Sequence, residues 1–348
     1  VKASYIKWAG LLILILNSLA YSQAAPPLKD LANSYGLWIG PAVAYNPLQN
    51  EPIYGQTLAQ EFNILTPENA MKWAATHPQR DRYSFTQADA MFHFAQANGL
   101  VLHGHNLVWH ESNPQWLTSG SFTRAEMIDI LREHIYTVAG RYRGYMTAWD
   151  VVNEAVNTNG TLRSTLWLNR IGPEYLDMAF QFTSEADPTA LLIYNDYGAE
   201  VINAKSNGIY NLLSAMLSRG IPVHGVGFQM HVGTGGINYQ SFAQNLQRFA
   251  DLGLAVFITE MDVAIQLPVT AAKLAAQANV YRNVLDVCLG QPACYGFQTW
   301  GFTDKYSWIP RARPGYGAAL IFDENYDPKP AYNALQDRLT ANAWAKTP

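Results

Sequence analysis

The chain has 348 residues, 49% of them hydrophobic and only 14% charged, enough apolar material for a large buried core. Its net charge of −4 leaves no basic surface for nucleic acid. Aromatic residues reach 13%; a core of this size absorbs most of them, and position decides which others are candidates for a binding surface.

Residues 1–25 read as a secretory signal peptide. Lys2 and Lys7 precede an apolar run from Ala9 to Leu16, and Ser18-Leu19-Ala20 and Gln23-Ala24-Ala25 follow as candidate cleavage sites. At roughly ten residues the run is too short to span a bilayer, so a secreted protein with no stable membrane association is expected. Residues 26–348 contain no linker, low-complexity stretch or repeat and read as one domain. Strand-like apolar runs fall at Leu37–Ala44, Phe62–Pro67, Val101–Trp109, Thr147–Glu154, Ala190–Asp196, His224–Val232, Ala255–Asp262 and Tyr295–Trp300. Helical patterns separate them. Thr123 with Glu126 forms a capping box opening Arg124–Arg141, Pro173 and Pro330 suit first-turn positions, and Gly99 and Gly220 suit helix ends. Strand then helix, repeated in this way, predicts an α/β fold of the closed (β/α)8 TIM-barrel type, whose catalytic groups stand at the C-terminal strand ends.

Polar residues cluster at those ends. Glu154 closes the fourth strand and Glu260 lies on the seventh, facing each other across the barrel mouth. Two such carboxylates are what glycosidic hydrolysis needs, one protonating the leaving oxygen and the other attacking the sugar. Asn153 and Glu154 should point opposite ways on a regular strand, so both reach a substrate only if the strand ends or bulges there. Glu260 and Asp262 share a face, as do Gln229 and His231, and a histidine between the two acids favours an ionised Glu260. Trp109, Trp300 and Trp308 offer ring faces for pyranoses; Glu68, Asn69 and Lys72, with Trp73, offer hydrogen-bonding groups to hydroxyls. His103-Gly104-His105 is also a metal-ligand spacing that His231 and Asp304 would complete, the runner-up chemistry; Gly104 beside Trp109 equally suits a sugar cleft. In an exported chain Cys288 and Cys294 read as a disulfide, worth on the order of 2 kcal/mol for so short a loop.

These residues carry a resemblance. Thr-Pro-Glu-Asn-Ala-Met-Lys-Trp (66–73), His-Gly-His-Asn-Leu-Val-Trp-His (103–110), Trp-Asp-Val-Val-Asn-Glu (149–154), Tyr-Asn-Asp-Tyr (194–197), His-Gly-Val-Gly-Phe-Gln-Met-His (224–231), Ile-Thr-Glu-Met-Asp (258–262) and Trp-Gly-Phe-Thr-Asp-Lys-Tyr-Ser-Trp (300–308) resemble the motifs of glycoside hydrolase family 10 endo-β-1,4-xylanases, in order. The resemblance implies Glu154 as acid/base, Glu260 as nucleophile, His231 and Asp262 as its supports, and Asn153 on the sugar 2-hydroxyl. It implies that Glu68, Asn69, Lys72, His105, Trp109, Gln229, Trp300 and Trp308 line the glycone side, with Tyr197 a weaker correspondence, and it fits the Cys288–Cys294 bridge. It further implies a retaining, monomeric enzyme acting on xylan and xylo-oligosaccharides with no cofactor and no metal. A related β-glucanase or cellobiosidase and a non-catalytic carbohydrate-binding barrel are the other readings. Asn106, Glu111-Ser112 and the basic Arg311-Ala312-Arg313 depart from the family pattern, which bears on outer subsites and charged branches.

Overall fold

The computed structural model describes residues 25–343; residues 1–24 of the expected leader lie outside the described residues. Ten strands are present among them. They are β1 (Trp38–Val43), β2 (Ile64–Pro67), β3 (Val101–Val108), β4 (Met146–Asn153), β5 (Leu191–Asp196), β6 (Gly225–Phe228), β7 (His231–Gly233), β8 (Ala255–Gln266), β9 (Cys294–Thr299) and β10 (Tyr316–Gly317). Eight of these close a parallel barrel in the order β1-β2-β3-β4-β5-β6-β8-β9, with β9 returning to β1. β7 adds in parallel to the outer half of β8, and β10 pairs antiparallel with the end of β8.

The local rules explain most of the helices. Both halves of the Thr123–Glu126 capping box form, and the helix Arg124–Arg141 buries Met127, Ile130, Leu131, Ile135 and Val138 against the barrel. Pro330 opens the C-terminal helix Pro330–Ala343. Pro173 does not open one: it precedes the N-cap Glu174 of the helix Tyr175–Ala186. Cys288, near the end of the helix Ala271–Leu289, is bonded to Cys294 at the start of β9. Among the described residues no helix is long and apolar enough to cross a membrane.

Inside the barrel, polarity changes with height. Ala148, Ile193 and Phe257 form a buried apolar layer, with Trp38 stacked on Phe257 at 6.2 Å between ring centroids. Two residues further along the same strands, on the same face, stand Asp150, Asn195 and Thr259, all buried. The pleat alone thus lifts the lining from an apolar plug to a polar floor at the C-terminal end.

Candidate active site

The floor opens into a cleft of about 740 Å³. Glu68, Asn69, Lys72, His105, Trp109, Asn153, Glu154, Tyr197, Gln229, His231, Glu260, Trp300 and Trp308 all line it, and Asp262 stands behind His231. His110, Glu111, Ser112, Arg163, Gly198, Arg311 and Ala312 complete the walls.

Backbone irregularities aim the two carboxylates. β4 ends at Asn153, and Glu154 adopts φ +59°. That left-handed conformation costs a residue with a side chain on the order of 1–3 kcal/mol, and it resolves the alternation problem by letting consecutive side chains share one side. Asn153 Nδ2 accordingly reaches Glu154 Oε1 at 3.2 Å. On β8, the register against β9 shifts between Ile258 and Met261, so that Thr259 and Glu260 both contact the side chain of Asn195. β6 was expected to run through to Val232. Instead it stops at Phe228, Met230 turns at φ +65°, and β7 resumes with His231 level with Asp262.

Register then assembles a continuous hydrogen-bonded floor. Asn153 and Asn195 are partners across β4 and β5, and Asn195 Nδ2 donates to Asn153 Oδ1 at 3.0 Å and to Glu260 Oε1 at 2.7 Å. Gln229 Nε2 donates to Glu154 Oε1 at 3.0 Å and lies 3.3 Å from Asn153 Oδ1. The two glutamates are therefore joined through Gln229, Asn153 and Asn195. A Cβ on Gly227 would come within 2.4 Å of Asn195 Oδ1, so glycine there makes room for this bridge.

His231 is held between two acids, with Nδ1 2.8 Å from Asp262 Oδ2 and Nε2 3.2 Å from Glu260 Oε2. Burial works against its protonation, but Asp262 and Glu260 outweigh it and hold the imidazole well above its usual range. Trp308 Nε1 donates to the same Asp262 oxygen at 2.8 Å, which fixes the ring at the cleft edge. On the opposite wall Lys72 Nζ donates to Asn69 Oδ1 at 2.9 Å and sits 4.9 Å from the Trp109 ring and 5.6 Å from that of Trp300. Burial pushes Lys72 down and the neighbouring Glu68 up.

The residues of the metal alternative are not gathered. His103 Nε2 and His105 Nδ1 grip the two oxygens of Asp150 at 2.9 and 2.8 Å, and Asp304 pairs with Lys329 at 2.8 Å. Asp150 resists its own burial because the two imidazoles hold its carboxyl down at about 2. His105, Asp150 and Glu260 do bring one ligand-capable atom each within 4.8 Å of one another. Those carboxylates and that imidazole are already committed to each other and to Asn195. Gly104 is likewise not a cleft residue: a Cβ there would strike the Trp149 ring at 2.1 Å, so it serves core packing.

Tyr197 lines the cleft, yet its hydroxyl accepts from Arg163 Nη2 at 3.0 Å and its ring covers Lys205 Nζ at 3.6 Å. Asp150, Asn195, Arg163 and Lys205 were not singled out as site residues from sequence. Asn195 and Asp196 lie at the polar end of the strand expected over Ala190–Asp196, but their partners depend on register that one strand does not encode.

Comparison with known proteins completes the picture. A sequence model described as glycosyl hydrolase family 10 matches residues 27–338. An endo-1,4-beta-xylanase B of Thermotoga neapolitana is 48% identical over 334 residues, covering 95% of this chain and 96% of the relative. The crystal structure of native xylanase 10B from Thermotoga maritima superposes with a TM-score of 0.90 at 48% identity, over 92% of this chain and 100% of that one. Xylanase 10B from Thermotoga petrophila RKU-1, solved in complex with xylobiose, gives the same TM-score of 0.90 at 48% identity, with 91% and 98% covered.

Proposed function

The chain belongs to glycosyl hydrolase family 10, and from that premise we propose that it cleaves internal β-1,4-xylosidic bonds of xylan with retention. Glu154 protonates the leaving oxygen as Glu260 attacks the anomeric carbon, the glycosidic C–O bond breaks, and a glycosyl ester forms on Glu260. Water then attacks that ester, gives its proton to Glu154, and releases Glu260. The observation that carries this reading is that the two glutamates, from β4 and β8, line one cleft and are tied together by Gln229, Asn153 and Asn195. His231, whose affinity for its proton is raised by Asp262 and Glu260, sets its Nε2 3.2 Å from the attacking carboxylate. Trp109, Trp300 and Trp308 supply the aromatic walls that sugars use.

The preference for xylan is steric. A pentose lacks the hydroxymethyl group that the crowded Lys72, Trp109 and Trp300 wall would meet. Secretion fits as well: the apolar leader and the Cys288–Cys294 bridge both suit an oxidising compartment outside the cytoplasm.

Reducing-sugar release should be measured on glucuronoxylan, cellulose and β-glucan in parallel with EDTA present, and the anomer first released followed by proton NMR. Release from xylan as the β-anomer is expected. Release chiefly from glucan would change the substrate, an α-anomer the mechanism, and EDTA inhibition would return the metal reading.

A further inference from the structure

Glu154 stands in a left-handed backbone conformation, and an unusual set of contacts holds it there. Arg163 Nε donates to the Glu154 carbonyl oxygen at 2.8 Å, and the Arg163 N–H donates to the Ala155 carbonyl at 2.7 Å. The chain between them folds back as a short hairpin, with Val156 bridged to Leu162. Glu154 N–H in turn donates to Asn195 O at 2.9 Å, and Ala155 N–H to the Tyr194 hydroxyl at 3.0 Å.

The other prong of Arg163, Nη2, donates to the Tyr197 hydroxyl at 3.0 Å. Tyr197 is itself anchored, its ring over Lys205 Nζ and its N–H on Asp196 Oδ1 at 2.9 Å. Lys205 and Asp196 form an ion pair at 2.7 Å, both buried. The second Asp196 oxygen accepts from Tyr194 at 2.7 Å. Both tyrosines that touch this turn therefore rest on one buried ion pair. Among the described residues no carboxylate lies within ion-pair distance of Arg163, although it lines the cleft. Its charge-bearing fork is engaged instead by a backbone carbonyl and a phenol.

We propose that Arg163 is the positioning residue for proton delivery: it locks the backbone of Glu154 and braces it, through Tyr197, against the Lys205–Asp196 pair. The inference rests on Glu154 being the acid/base. Arg163 acts on the aim of that carboxyl toward the leaving oxygen. It does not serve the attack by Glu260, which is held from β5 and β7 by Asn195 and His231.

The consequence is a dependence on the leaving group. With Arg163→Met, kcat/KM on xylotetraose should fall by roughly 10²-fold, part of the 10²–10⁴ that a positioned general acid supplies. On 2,4-dinitrophenyl xylobioside, whose leaving group needs no proton, the loss should be only a few-fold. Tyr197→Phe, which frees one prong of the fork and spares the other, should show the same selective loss on a smaller scale. It also provides the test if Arg163→Met does not fold, as judged by circular dichroism and Tm. Equal losses on both substrates in either folded variant, or no loss in both, would overturn the proposal. Glu154→Ala run alongside separates the two readings. If it too loses both substrates equally, Glu154 is not the acid and the functional assignment fails; a selective loss there with none at Arg163 sinks only the role of Arg163.

Discussion

The two glutamates of the cleft are secured by opposite means. Glu260 is gripped by its carboxylate: Asn195 donates at 2.7 Å, and the imidazolium of His231, backed by Asp262, stands 3.2 Å away. Among the described residues the hydrogen bonds to the Glu154 carboxyl come from neutral amides, those of Gln229 at 3.0 Å and Asn153 at 3.2 Å. His110 lies 3.9 Å from it, beyond hydrogen-bond distance, and burial holds that ring below its usual range despite the pull of Glu154, while Lys72 and Arg163 act on the carboxyl through space and not by contact. What is fixed at Glu154 is the backbone, by Arg163. The contrast matches the proposed roles. A nucleophile starts and finishes each turnover as an anion, so a permanent cation suits it. An acid/base must alternate between protonated and ionised, and a strong cation on its side chain would favour one state alone. Position without fixed charge is the solution open to it.

The sharpest way to break this comparison is to remove each carboxylate and ask what an external anion can replace. Glu260→Ala should lose on the order of 10⁶-fold in kcat on xylan, the scale seen when a covalent nucleophile is deleted. Azide should restore part of the activity on an activated aryl xylobioside by entering from the vacated side, giving the α-xylosyl azide. Glu154→Ala should lose roughly 10²–10⁴-fold on xylan. There azide intercepts the glycosyl ester on Glu260, and the product should be the β-azide. Proton NMR of the two azides reads the assignment directly, and exchanged anomers would exchange the roles.

Asn195→Ala addresses the nucleophile side alone. It removes the 2.7 Å bond to Glu260 and the brace on Asn153. A buried bond to a charged group contributes about 1.5–3 kcal/mol, which corresponds to roughly a 10- to 100-fold fall in kcat/KM. Because Glu260 attacks the same anomeric carbon in concert with departure of either leaving group, the loss should be the same on xylotetraose and on the dinitrophenyl glycoside. A selective loss, like that expected at Arg163, would mean that Asn195 serves Glu154 through Asn153 and that the two halves are not separately held.

Much of this arrangement was legible from sequence because barrel strands are continuous apolar runs and the working residues sit at their ends. The positions of the eight barrel strands and the Thr123 cap follow from patterns of a few residues, and the cleft-lining set follows from the motifs that carry the family resemblance. What escaped depends on geometry between strands. The break of the sixth strand at Met230 has no turn residue to announce it, since methionine at φ +65° is imposed by its surroundings. Glu154 at φ +59° is unreadable for the same reason. Asp150 is a single acid within an apolar strand, and only the β3–β4 register, which sets it opposite His105, decides that the two histidines bind it. Arg163 lies in a loop of no marked composition, and only the hairpin closed by Val156 and Leu162 brings it back to Glu154.

The imidazolium beside Glu260 also has a thermodynamic signature that the Glu154 side lacks. Folding raises the affinity of His231 for its proton, through Asp262 and Glu260 acting against burial. The folded state therefore binds more protons than the unfolded one between the ordinary histidine value, near 6.5, and the raised folded value. His231 contributes its full stability below about pH 6.5, and that contribution is lost as pH rises through the folded value. Replacing His231 by Asn keeps a hydrogen-bonding group between the acids and removes the charge. The difference in Tm between wild type and His231→Asn should thus be greatest in mildly acidic solution and shrink steadily on the alkaline side. Melting curves across pH 5 to 10 measure it. A Tm difference that stays constant, or grows with pH, would show that the imidazole is neutral in the folded protein. Glu260 would then be held, like Glu154, without a resident charge, and the distinction between the two halves of the cleft would reduce to hydrogen-bond geometry.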